Sequence, residues 1–371
     1  MRIDRADIIR VQNPFLHPFE TSFTKFVVRD ALLVRLASEG EYGWGECKAF
    51  HGPYYNAEDN GTALHVLKNL ILPRLVGREC DGPEAFLREF RYIKGNRLAK
   101  AAVENALWEL RSRFAGKTLK TLIGGTSKEV IAGISIGIQK NEKTLVEKVG
   151  KALEAGYHRV KIKIRPGTDV TRIGAVRKAF GDIPLTVDAN SAYTLRDIET
   201  LRAIDDFGLE YIEQPLGDED LLDHAELQKA LRTDICLDES VSSYEAAEAA
   251  IRLGSCRVIN IKSSRVGGIS EGIRIHDLAV KNGIRVWCGG MTELGIGRAQ
   301  NIAFASLPGF AKMAHDLAGS SRFFARDIVT PEIRLTDRCM MVVPDEENGI
   351  RYEVDTRAVD DMTVAHWVVR P

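Results

Sequence analysis

The fold is decided by five stretches of the chain, each an apolar run that ends in charge: RVKIKI (159–164), IPLTVDAN (183–190), LEYIEQP (209–215), DICLDES (234–240) and RVINIKS (257–263). Their charged ends, Lys163, Asp188, Glu213, Asp238 and Lys262, recur every 24 or 25 residues. Buried parallel strands are normally almost purely apolar, so charge at each strand end is informative. The spacing matches one strand and its following helix, which puts these side chains at the same height on successive strands.

The same alternation continues on both sides of these stretches. ISIGI (134–138), IRVWCGGM (284–291) and FAKMAHDL (310–317) have the composition of further strands, and helical segments such as 143–156 lie between the strands. About eight strand–helix repeats predict a modified TIM barrel, a parallel (β/α) barrel over residues 126–324. An open, doubly wound sheet is the alternative arrangement of the same elements.

The first part of the chain has a different pattern. Strand-like segments at 3–12, 30–37 and 41–47 come first, and a helical region that ends near Gly116 follows. Strands followed by helices predict an α+β unit over residues 1–125.

The last part of the chain returns to strand-like segments. These are PEIRL (331–335), CMMVV (339–343) and RYEV (351–354). We expect the segment from about 325 to 371 to rejoin and complete the N-terminal unit.

Composition excludes several classes of protein. The chain has 371 residues, 44% hydrophobic and 28% charged, with a formal net charge of -1. Without a basic run there is no electrostatic footprint for nucleic acid, and the apolar runs are too short for a membrane helix. The N-terminus MRIDRADIIRV does not resemble a signal peptide. Six cysteines without a CxxC pair favour reduced thiols, and therefore a cytoplasmic protein.

Three of the strand-end residues are acids. Asp188, Glu213 and Asp238 would converge at the C-terminal rim of a barrel, where active sites of this fold lie. Carboxylates a few Å apart repel one another, and a divalent cation removes that repulsion. An all-oxygen set without histidine or cysteine favours Mg²⁺ or Mn²⁺. The alternative is that each acid is an ordinary loop residue or helix cap.

The lysines have an equally specific arrangement. Lys161 and Lys163 lie two residues apart on one strand, so both point to the same side, which in a barrel is the site. Lys262 follows four strands later, roughly opposite in a barrel of eight. Burial near a metal ion and other cations lowers a lysine's pKa, so such a lysine can act as a base near neutral pH. The alternative is that Lys161 and Lys163 are exposed charges at the rim.

The motifs KIK, VDAN, IEQP, LDES and INIK together resemble the enolase superfamily, in its muconate lactonizing enzyme subgroup. The resemblance runs through the whole chain, and GWGE (43–46) is similar to part of that family's capping domain. KSSRVGG (262–268), GGMTELGIGRAQN (289–301) and ASLPGF (305–310) resemble the branch that contains o-succinylbenzoate synthases and N-succinylamino acid racemases. The N-terminal α+β unit would then be the capping domain.

This resemblance implies roles for individual residues. Mg²⁺ (or Mn²⁺) would be bound by Asp188, Glu213 and Asp238. Lys163 would be the base beside the substrate's α-carbon, and Lys262 would face it. Further matching positions are Lys161, which would hold the substrate carboxylate; Asn190 and Glu239, as supporting residues; Phe50 and Tyr55, which would close over the substrate; Ser135 and Met291, around a succinyl tail; and Arg265, a substrate-binding position at which an arginine accompanies racemase-capable members.

The implied reaction is metal-dependent removal of the α-proton of a carboxylate substrate. A synthase then expels a β-hydroxyl from 2-succinyl-6-hydroxy-2,4-cyclohexadiene-1-carboxylate, a step of menaquinone synthesis. A racemase of N-succinyl or other N-acyl amino acids instead returns a proton on the opposite face. The sequence leaves both activities open, separately or in one enzyme. We expect a small-molecule substrate with a succinyl or acyl group, and a homo-oligomer.

Two absences separate the chain from relatives of other specificity. Mandelate-racemase-like members place a histidine at the end of the seventh strand, but no histidine lies between His276 and His315. Dipeptide epimerases carry Asp-x-Asp at the eighth strand, where this chain has HDLAG with the single acid Asp316. One acid suits an acylated amine better than a free one. His315 either lines the pocket or is a hydrogen-bonded structural residue.

A binding or structural protein on the same scaffold is the alternative class. It predicts that at least one catalytic group is missing. All five core positions, three acids and two lysines, are filled. The enzyme is therefore the favoured interpretation.

Overall fold

The computed structural model describes residues 1–20 and 24–371. The N-terminal elements are strands β1 (Arg5–Glu20), β2 (Lys25–Ser38) and β3 (Glu41–Cys47) and helices α1 (Asn60–Val66), α2 (Leu72–Leu75), α3 (Pro83–Glu89), α4 (Arg97–Ala115) and α5 (Leu119–Ile123). A π-helical segment, Leu67–Ile71, joins α1 to α2.

The central elements alternate between strand and helix. They are β4 (Glu129–Ile131), β5 (Ile134–Ile136), α6 (Glu142–Glu154), β6 (Val160–Lys163), α7 (Asp169–Phe180), β7 (Leu185–Asp188), α8 (Ile198–Asp205), β8 (Ile212–Glu213), α9 (Leu222–Ala230), β9 (Ile235–Leu237), α10 (Tyr244–Leu253), β10 (Val258–Ile261), α11 (Ser263–Val266), α12 (Ile269–Lys281), β11 (Arg285–Cys288) and α13 (Gly295–Phe304). The C-terminal elements are β12 (Val329–Thr330), β13 (Met340–Val342), β14 (Glu353–Val354), α14 (Thr356–Met362) and β15 (Thr363–Val369).

The N-terminal strands form an antiparallel sheet in the order β15-β1-β2-β3. One face of this sheet packs on α4, and the motif GWGE explains how closely. A Cβ atom on Gly45 would lie 1.9 Å from the carbonyl oxygen of Ala102, and one on Gly43 would lie 2.1 Å from that of Ala106. Only glycine allows β3 to approach the helix backbone at this distance.

The central strands form a seven-stranded parallel sheet in the order β11-β10-β9-β8-β7-β6-β5. The eighth position is taken by the segment around His315. The N–H of Gly133 donates to His315 O at 2.7 Å, and the N–H of Asp316 donates to Cys288 O at 3.2 Å, which joins the two ends of the sheet. The barrel with an α+β capping unit is confirmed, but the eighth strand predicted at 310–317 is reduced to an isolated bridge between Ala132 and His315.

The register refines the expectation that the charged strand ends lie side by side. Lys163, Asp188 and Glu213 are direct partners on β6, β7 and β8. The partner of Glu213 on β9 is Cys236, so Asp238 lies two residues further along its strand. Tilted strands of a barrel are staggered in this way, so side chains at one height shift along the register from strand to strand. This stagger also explains why Lys262 lies beyond the end of β10.

The C-terminal segment rejoins the N-terminal sheet, but through a strand that the sequence pattern did not indicate. β15 pairs with β1, whereas β13 pairs with β4 and β14 pairs with β12. The strand expected at 331–335 is absent from the described structure. Pro331 at its start lacks the N–H that a ladder requires, and Ile333 O instead accepts a hydrogen bond from Ser320 N at 2.8 Å.

Buried polar contacts tie the N-terminal unit to the barrel. The Glu46 carboxylate accepts hydrogen bonds from Leu294 N at 3.2 Å and Gly297 N at 3.1 Å, at the start of α13. The Glu104 carboxylate of α4 accepts from Ile269 N at 2.8 Å and Ser270 N at 2.9 Å, at the start of α12. Both acids therefore complete the N-terminus of a barrel helix, where free N–H groups need acceptors.

Among the described helices, none is both long enough and apolar enough to pass through a lipid bilayer.

Candidate active site

A cavity opens at the C-terminal ends of the barrel strands, below the N-terminal unit. Its lining comprises Phe26, Phe50 and Tyr55 from the N-terminal unit; Gly133, Ser135, Lys161, Lys163, Asp188, Asn190 and Lys262 from the barrel strands and their ends; and Gly290, Met291, Thr292, Glu293, Arg298, Asp316, Leu317, Ala318, Arg322 and Phe323 from the last third of the barrel. The rim predicted from the spacing of charged residues is therefore the wall of a real cavity.

Lys163 reaches this cavity from the end of β6. Its Nζ lies 2.6 Å from Asp188 Oδ2 and 2.6 Å from Asn190 Oδ1. Asn190 has a φ of 44°, a left-handed conformation that asparagine tolerates better than most residues. This conformation aims the side chain back across the strand end, and it leaves Lys163 with one charged and one neutral partner.

Lys161 lies deeper in the barrel and is almost fully buried. Its Nζ lies 2.7 Å from Glu213 Oε2 and 2.6 Å from Asp316 Oδ2, and 4.6 Å from the centre of the Trp287 ring. Burial lowers the pKa of Lys161, but the charges of Asp316 and Glu213 outweigh burial and hold the pKa well above its usual value. Lys161 is therefore a fixed positive charge.

Asp238 and Lys262 form the opposite side. Lys262 Nζ lies 2.7 Å from Asp238 Oδ2 and 3.1 Å from the hydroxyl of Tyr55, whose ring it also covers at 4.4 Å. Burial lowers the pKa of Lys262, but Asp238, Tyr55 and Glu239 raise it further than burial lowers it. Without a metal ion, the pKa values of Lys161 and Lys262 are therefore raised rather than lowered, because each lysine faces a carboxylate as well as its cationic neighbours.

Arg265 occupies a different place from the one expected for a substrate ligand. It does not line the cavity, and its guanidinium donates to Asp238 Oδ1 from behind. It also donates to the hydroxyl of Tyr55 at 3.0 Å and to Asn260 O at 2.5 Å. Burial raises the pKa of Asp238, but Lys262 and Arg265 together bring it down to about 2.

Glu213 and Glu239 are the acids of the site whose negatively charged forms are least stabilised by their surroundings. Burial, and then the charge of Asp188, raise the pKa of Glu213 to about 7. Burial, and then the charge of Asp238, raise the pKa of Glu239 to about 8. Glu239 Oε1 accepts from Asn190 Nδ2 at 3.0 Å, while its Oε2 is buried without a partner in the described part of the chain.

These donors fit a hard divalent cation in type. Burial and the charges of Asp188 and Asp238 raise the pKa of Glu213, one carboxylate oxygen of Glu239 has no partner among the described residues, and positive charge at this point would relieve both. In residues 1–20 and 24–371 the acids are not gathered around a common point as a metal site. Each of Asp188, Glu213 and Asp238 is instead hydrogen-bonded to a lysine.

The other residues expected around the substrate lie on the cavity wall. Ser135 Oγ is 3.5 Å from Asp316 Oδ2, and Met291 Sδ accepts a hydrogen bond from Ser264 at 3.5 Å. The Phe50 ring stacks on Phe26 with centres 4.6 Å apart.

His315 is the hydrogen-bonded structural residue of the two alternatives. Its Nδ1 accepts a hydrogen bond from Cys288 N at 3.1 Å, and it does not line the cavity. Burial lowers the pKa of His315 to about 3. A neutral imidazole therefore joins the segment around His315 to β11, while the backbone oxygen of His315 accepts from Gly133 N beside the first strand.

Sequence reasoning missed two acids of the cavity wall. Asp316 holds Lys161, and its other oxygen accepts from Arg159 Nη2 at 2.9 Å. Glu293 accepts from Met291 N at 2.8 Å and lies 3.5 Å from Lys48 Nζ. HDLAG at the last stave was the signal for Asp316, since it is an acid at a strand end like the other three. Glu293 follows its strand by several residues, and no comparable signal points to it.

Comparison with known proteins decides the family. Residues 5–124 match the N-terminal domain of the mandelate racemase / muconate lactonizing enzyme family, and residues 144–358 match the enolase C-terminal domain-like family. The chain belongs to the enolase superfamily. Enzymes of this superfamily depend on a metal ion, and they act on small molecules.

Similar proteins include o-succinylbenzoate synthases and N-succinylamino acid racemases. The chain is 47% identical over 364 residues to an o-succinylbenzoate synthase of Geobacillus kaustophilus, which covers 98% of this chain and 96% of the relative. It is 44% identical over 332 residues to an N-succinylamino acid racemase of Amycolatopsis sp, and the match covers 89% of this chain and 90% of the relative. A crystal structure of an enolase superfamily member from Listeria innocua superposes with a TM-score of 0.95 at 41% identity, covering 100% of this chain and 99% of that one.

Proposed function

We propose that this chain is an o-succinylbenzoate synthase. It would remove the α-proton of 2-succinyl-6-hydroxy-2,4-cyclohexadiene-1-carboxylate and expel the β-hydroxyl, so that the products are o-succinylbenzoate and one water. Formation of the aromatic ring drives the second step. Relatives with this name cover almost the whole chain, and the cavity has the groups that the reaction needs.

The observation that carries the proposal is the pair Lys163 and Lys262 in one cavity. Both side chains line it, and each contacts one of the outer acids of the carboxylate row, Asp188 and Asp238. Lys163 is the proposed base, because it pairs with one carboxylate where Lys161 pairs with three, and it is less buried than Lys161. Lys262 would act as a fixed positive charge near the developing negative charge.

Mg²⁺ or Mn²⁺ is the proposed cofactor, held by Asp188, Glu213 and Asp238. When bound, such a cation would stabilise the second negative charge that develops on the substrate carboxylate. Asn190 and Glu239 would support the ligands from the side.

The remaining residues would bind and enclose the substrate. Lys161 is a buried cation with a raised pKa, so it would stay charged and hold the substrate carboxylate. Phe50 and Tyr55 would cover the site from the N-terminal unit, and Ser135 and Met291 would flank the acyl tail. Exclusion of water strengthens each of these charged contacts.

N-succinylamino acid racemase is the second candidate, alone or as an additional activity. The observation that favours it is Lys262, whose amine has a place in the same cavity as Lys163. A racemase needs a base on each face of the α-carbon, and a dehydratase needs only one. Arg265 would contribute by holding Asp238 beside Lys262, a role away from the substrate.

The deciding experiment is a comparison of kcat/KM for the cyclohexadiene carboxylate and for a panel of N-succinylamino acids, with Mg²⁺ present. Turnover of the first substrate alone supports the synthase, and turnover of both supports a dual enzyme. No turnover of either substrate would contradict both candidates.

We also propose how the chain divides into domains. Residues 1–125, completed by about 325–371, would form the capping domain, and residues 126–324 would form the catalytic barrel. The enzyme would act in the cytoplasm on a small carboxylate, without nucleic acid or membrane, as a homo-oligomer. Light scattering on the purified chain measures the last of these directly.

A further inference from the structure

Five cationic side chains line the cavity, and carboxylates of the chain hold four of them. The four pairs are Lys161 with Glu213 and Asp316, Lys163 with Asp188, Lys262 with Asp238, and Arg298 with Asp327. The fifth cation is Arg322. Among the described residues its guanidinium makes a single hydrogen bond, from Nη2 to Ser135 O at 2.8 Å.

The acids of the cavity wall are not available to neutralise Arg322. Asp316 is taken by Lys161 and Arg159, at 2.6 and 2.9 Å. Glu293 lies 3.5 Å from Lys48 and accepts hydrogen bonds from Met291 N and Asn301. Arg322 therefore presents a positive charge to the cavity that no carboxylate in the described part of the chain matches.

The position of Arg322 relative to the lysines is set by the barrel. Ser135 on β5 is the direct partner of Lys161 on β6, and neighbouring strands lie about 4.8 Å apart. Ser135 O accepts from the Arg322 guanidinium, and Ser135 Oγ lies 3.5 Å from Asp316 Oδ2, which is 2.6 Å from Lys161 Nζ. The guanidinium and the Lys161 ammonium are thus linked through two neighbouring residues of one cavity wall, and a short acyl chain can reach from one to the other.

The surroundings of Arg322 also suit the end of an acyl chain. Leu317 and Ala318 contribute apolar wall to the same cavity. The ring of Phe323 lies under its guanidinium, with Cζ 5.5 Å from the ring centre, which restricts the plane of the donors. Nη2 donates one of its two N–H groups to Ser135 O, and its other N–H, paired with Nε or with Nη1, can make the two parallel hydrogen bonds that a carboxylate accepts from arginine.

We propose that Arg322 binds the terminal carboxylate of the substrate's succinyl group, and that it sets the preference for succinyl over neutral acyl groups. This inference rests on the proposed function, since it assigns one end of the same substrate. It makes Arg322 a specificity-determining residue rather than a catalytic one.

The test measures binding, so that it does not depend on turnover. Isothermal titration calorimetry with saturating Mg²⁺ compares o-succinylbenzoate with the analogue whose succinyl carboxylate is a carboxamide. The wild type, Arg322→Met, Arg322→Lys and the exposed control Arg334→Gln are measured. Arg334→Gln removes one positive charge, as Arg322→Met does, but at a site paired with Glu332 outside the cavity.

The wild type and Arg334→Gln should bind the carboxylate more tightly than the amide, by roughly 10- to 100-fold. Arg322→Met should abolish that ratio, and Arg322→Lys should recover part of it, because it keeps the charge but not the paired donors. If Arg322→Met does not fold, Arg322→Gln replaces it with the same expected loss, because its amide can still donate to Ser135 O.

The design distinguishes a failure of the proposed function from a failure of the inference about Arg322. A wild type that binds neither compound contradicts the proposed function itself. If Arg322→Met still binds the carboxylate more tightly than the amide by the wild-type ratio, with both affinities reduced equally, the inference is overturned. Arg322 would then only stabilise β5 through its hydrogen bond to Ser135 O.

Discussion

Lys161 Nζ lies 2.6 Å from Asp316 Oδ2, a contact between β6, the second strand of the barrel, and the segment at its eighth position. Asp316 in turn accepts a hydrogen bond from Arg159 of the segment that leads into β6, so the acid is fixed from two sides. The contact joins residues 155 positions apart in the chain, and it positions the cation that would hold the substrate carboxylate.

Replacing Asp316 with asparagine should weaken substrate binding more than it slows the chemical step. Loss of the charged partner lets Lys161 turn fully to Glu213, so kcat/KM should fall by roughly 10- to 100-fold, mostly through KM. Steady-state kinetics on the preferred substrate measures this. The exposed control Asp337→Asn should behave as the wild type, and a fall confined to kcat would contradict the positioning role.

Metal removal should abolish activity, and Mg²⁺ or Mn²⁺ should restore it. Glu213→Gln keeps the size of the side chain and a hydrogen bond to Asn260, but removes the negative charge, so its affinity for Mn²⁺ should fall at least tenfold. Titration calorimetry against Glu226→Gln, an exposed acid paired with Lys229, provides the control. Full activity in excess chelator would contradict the proposal that the three carboxylates hold a metal ion needed for the reaction.

Lys163→Ala removes the proposed base. Loss of a general base typically costs about 10²–10⁴-fold, so both synthase and racemase turnover should fall by that amount or more. The circular dichroism spectrum and the Mn²⁺ affinity should be nearly unchanged, because Asp188 retains its backbone contact to Asn190 N at 3.0 Å. A fall of less than tenfold would place the base elsewhere.

His315 should make the protein less stable in acid. Its pKa is lowered from the ordinary value of 6.5 to about 3, so between these values the unfolded chain takes up a proton that the folded chain does not. The contribution of His315 to the free energy of unfolding should therefore fall as pH falls below 6.5, by up to about 1.4 kcal/mol per pH unit, while the raised pKa values of Glu213 and Glu239 act in the opposite direction.

Urea unfolding at pH 5, 6 and 7 measures that slope. His315→Gln, which keeps an acceptor near Cys288 N, should reduce the slope by nearly one proton, although His224, with its lowered pKa, still contributes. The exposed control His65→Gln should leave the slope unchanged. An equal slope in His315→Gln and the wild type would mean that the imidazole is already protonated in the folded state.

The parts of the fold that the sequence predicted are those with a local pattern. Lys163, Asp188, Glu213, Asp238 and Lys262 each follow an apolar run, so strand ends and charges could be placed together from neighbouring residues alone. β15 was missed because its pairing with β1 joins the two ends of the chain. Such a contact depends on tertiary packing that no local pattern records.

The parts of the site that could not be predicted are contacts across the barrel. Arg265 follows Lys262 by three residues, yet it bonds to Asp238 from behind the wall, because α11 turns it away from the cavity. Arg322 lies in a 3-10 turn without any periodic signal. The role of Arg322 is inferred from the fact that each of the other four cations of the cavity has a carboxylate partner. Only the folded site shows those pairs.

The central claim is that Lys163 and Lys262 approach the substrate's α-carbon from opposite faces. Exchange of the α-proton in deuterated solvent, followed by NMR on each enantiomer of an N-succinylamino acid, tests it most directly. The wild type should exchange both enantiomers. Lys262→Arg keeps the charge but scarcely releases its proton, since the pKa of arginine is above about 12, so it should exchange only the enantiomer whose proton faces Lys163. Retained exchange of that enantiomer shows that the bulkier side chain has not blocked the pocket. Equal exchange of both enantiomers by Lys262→Arg would contradict the claim.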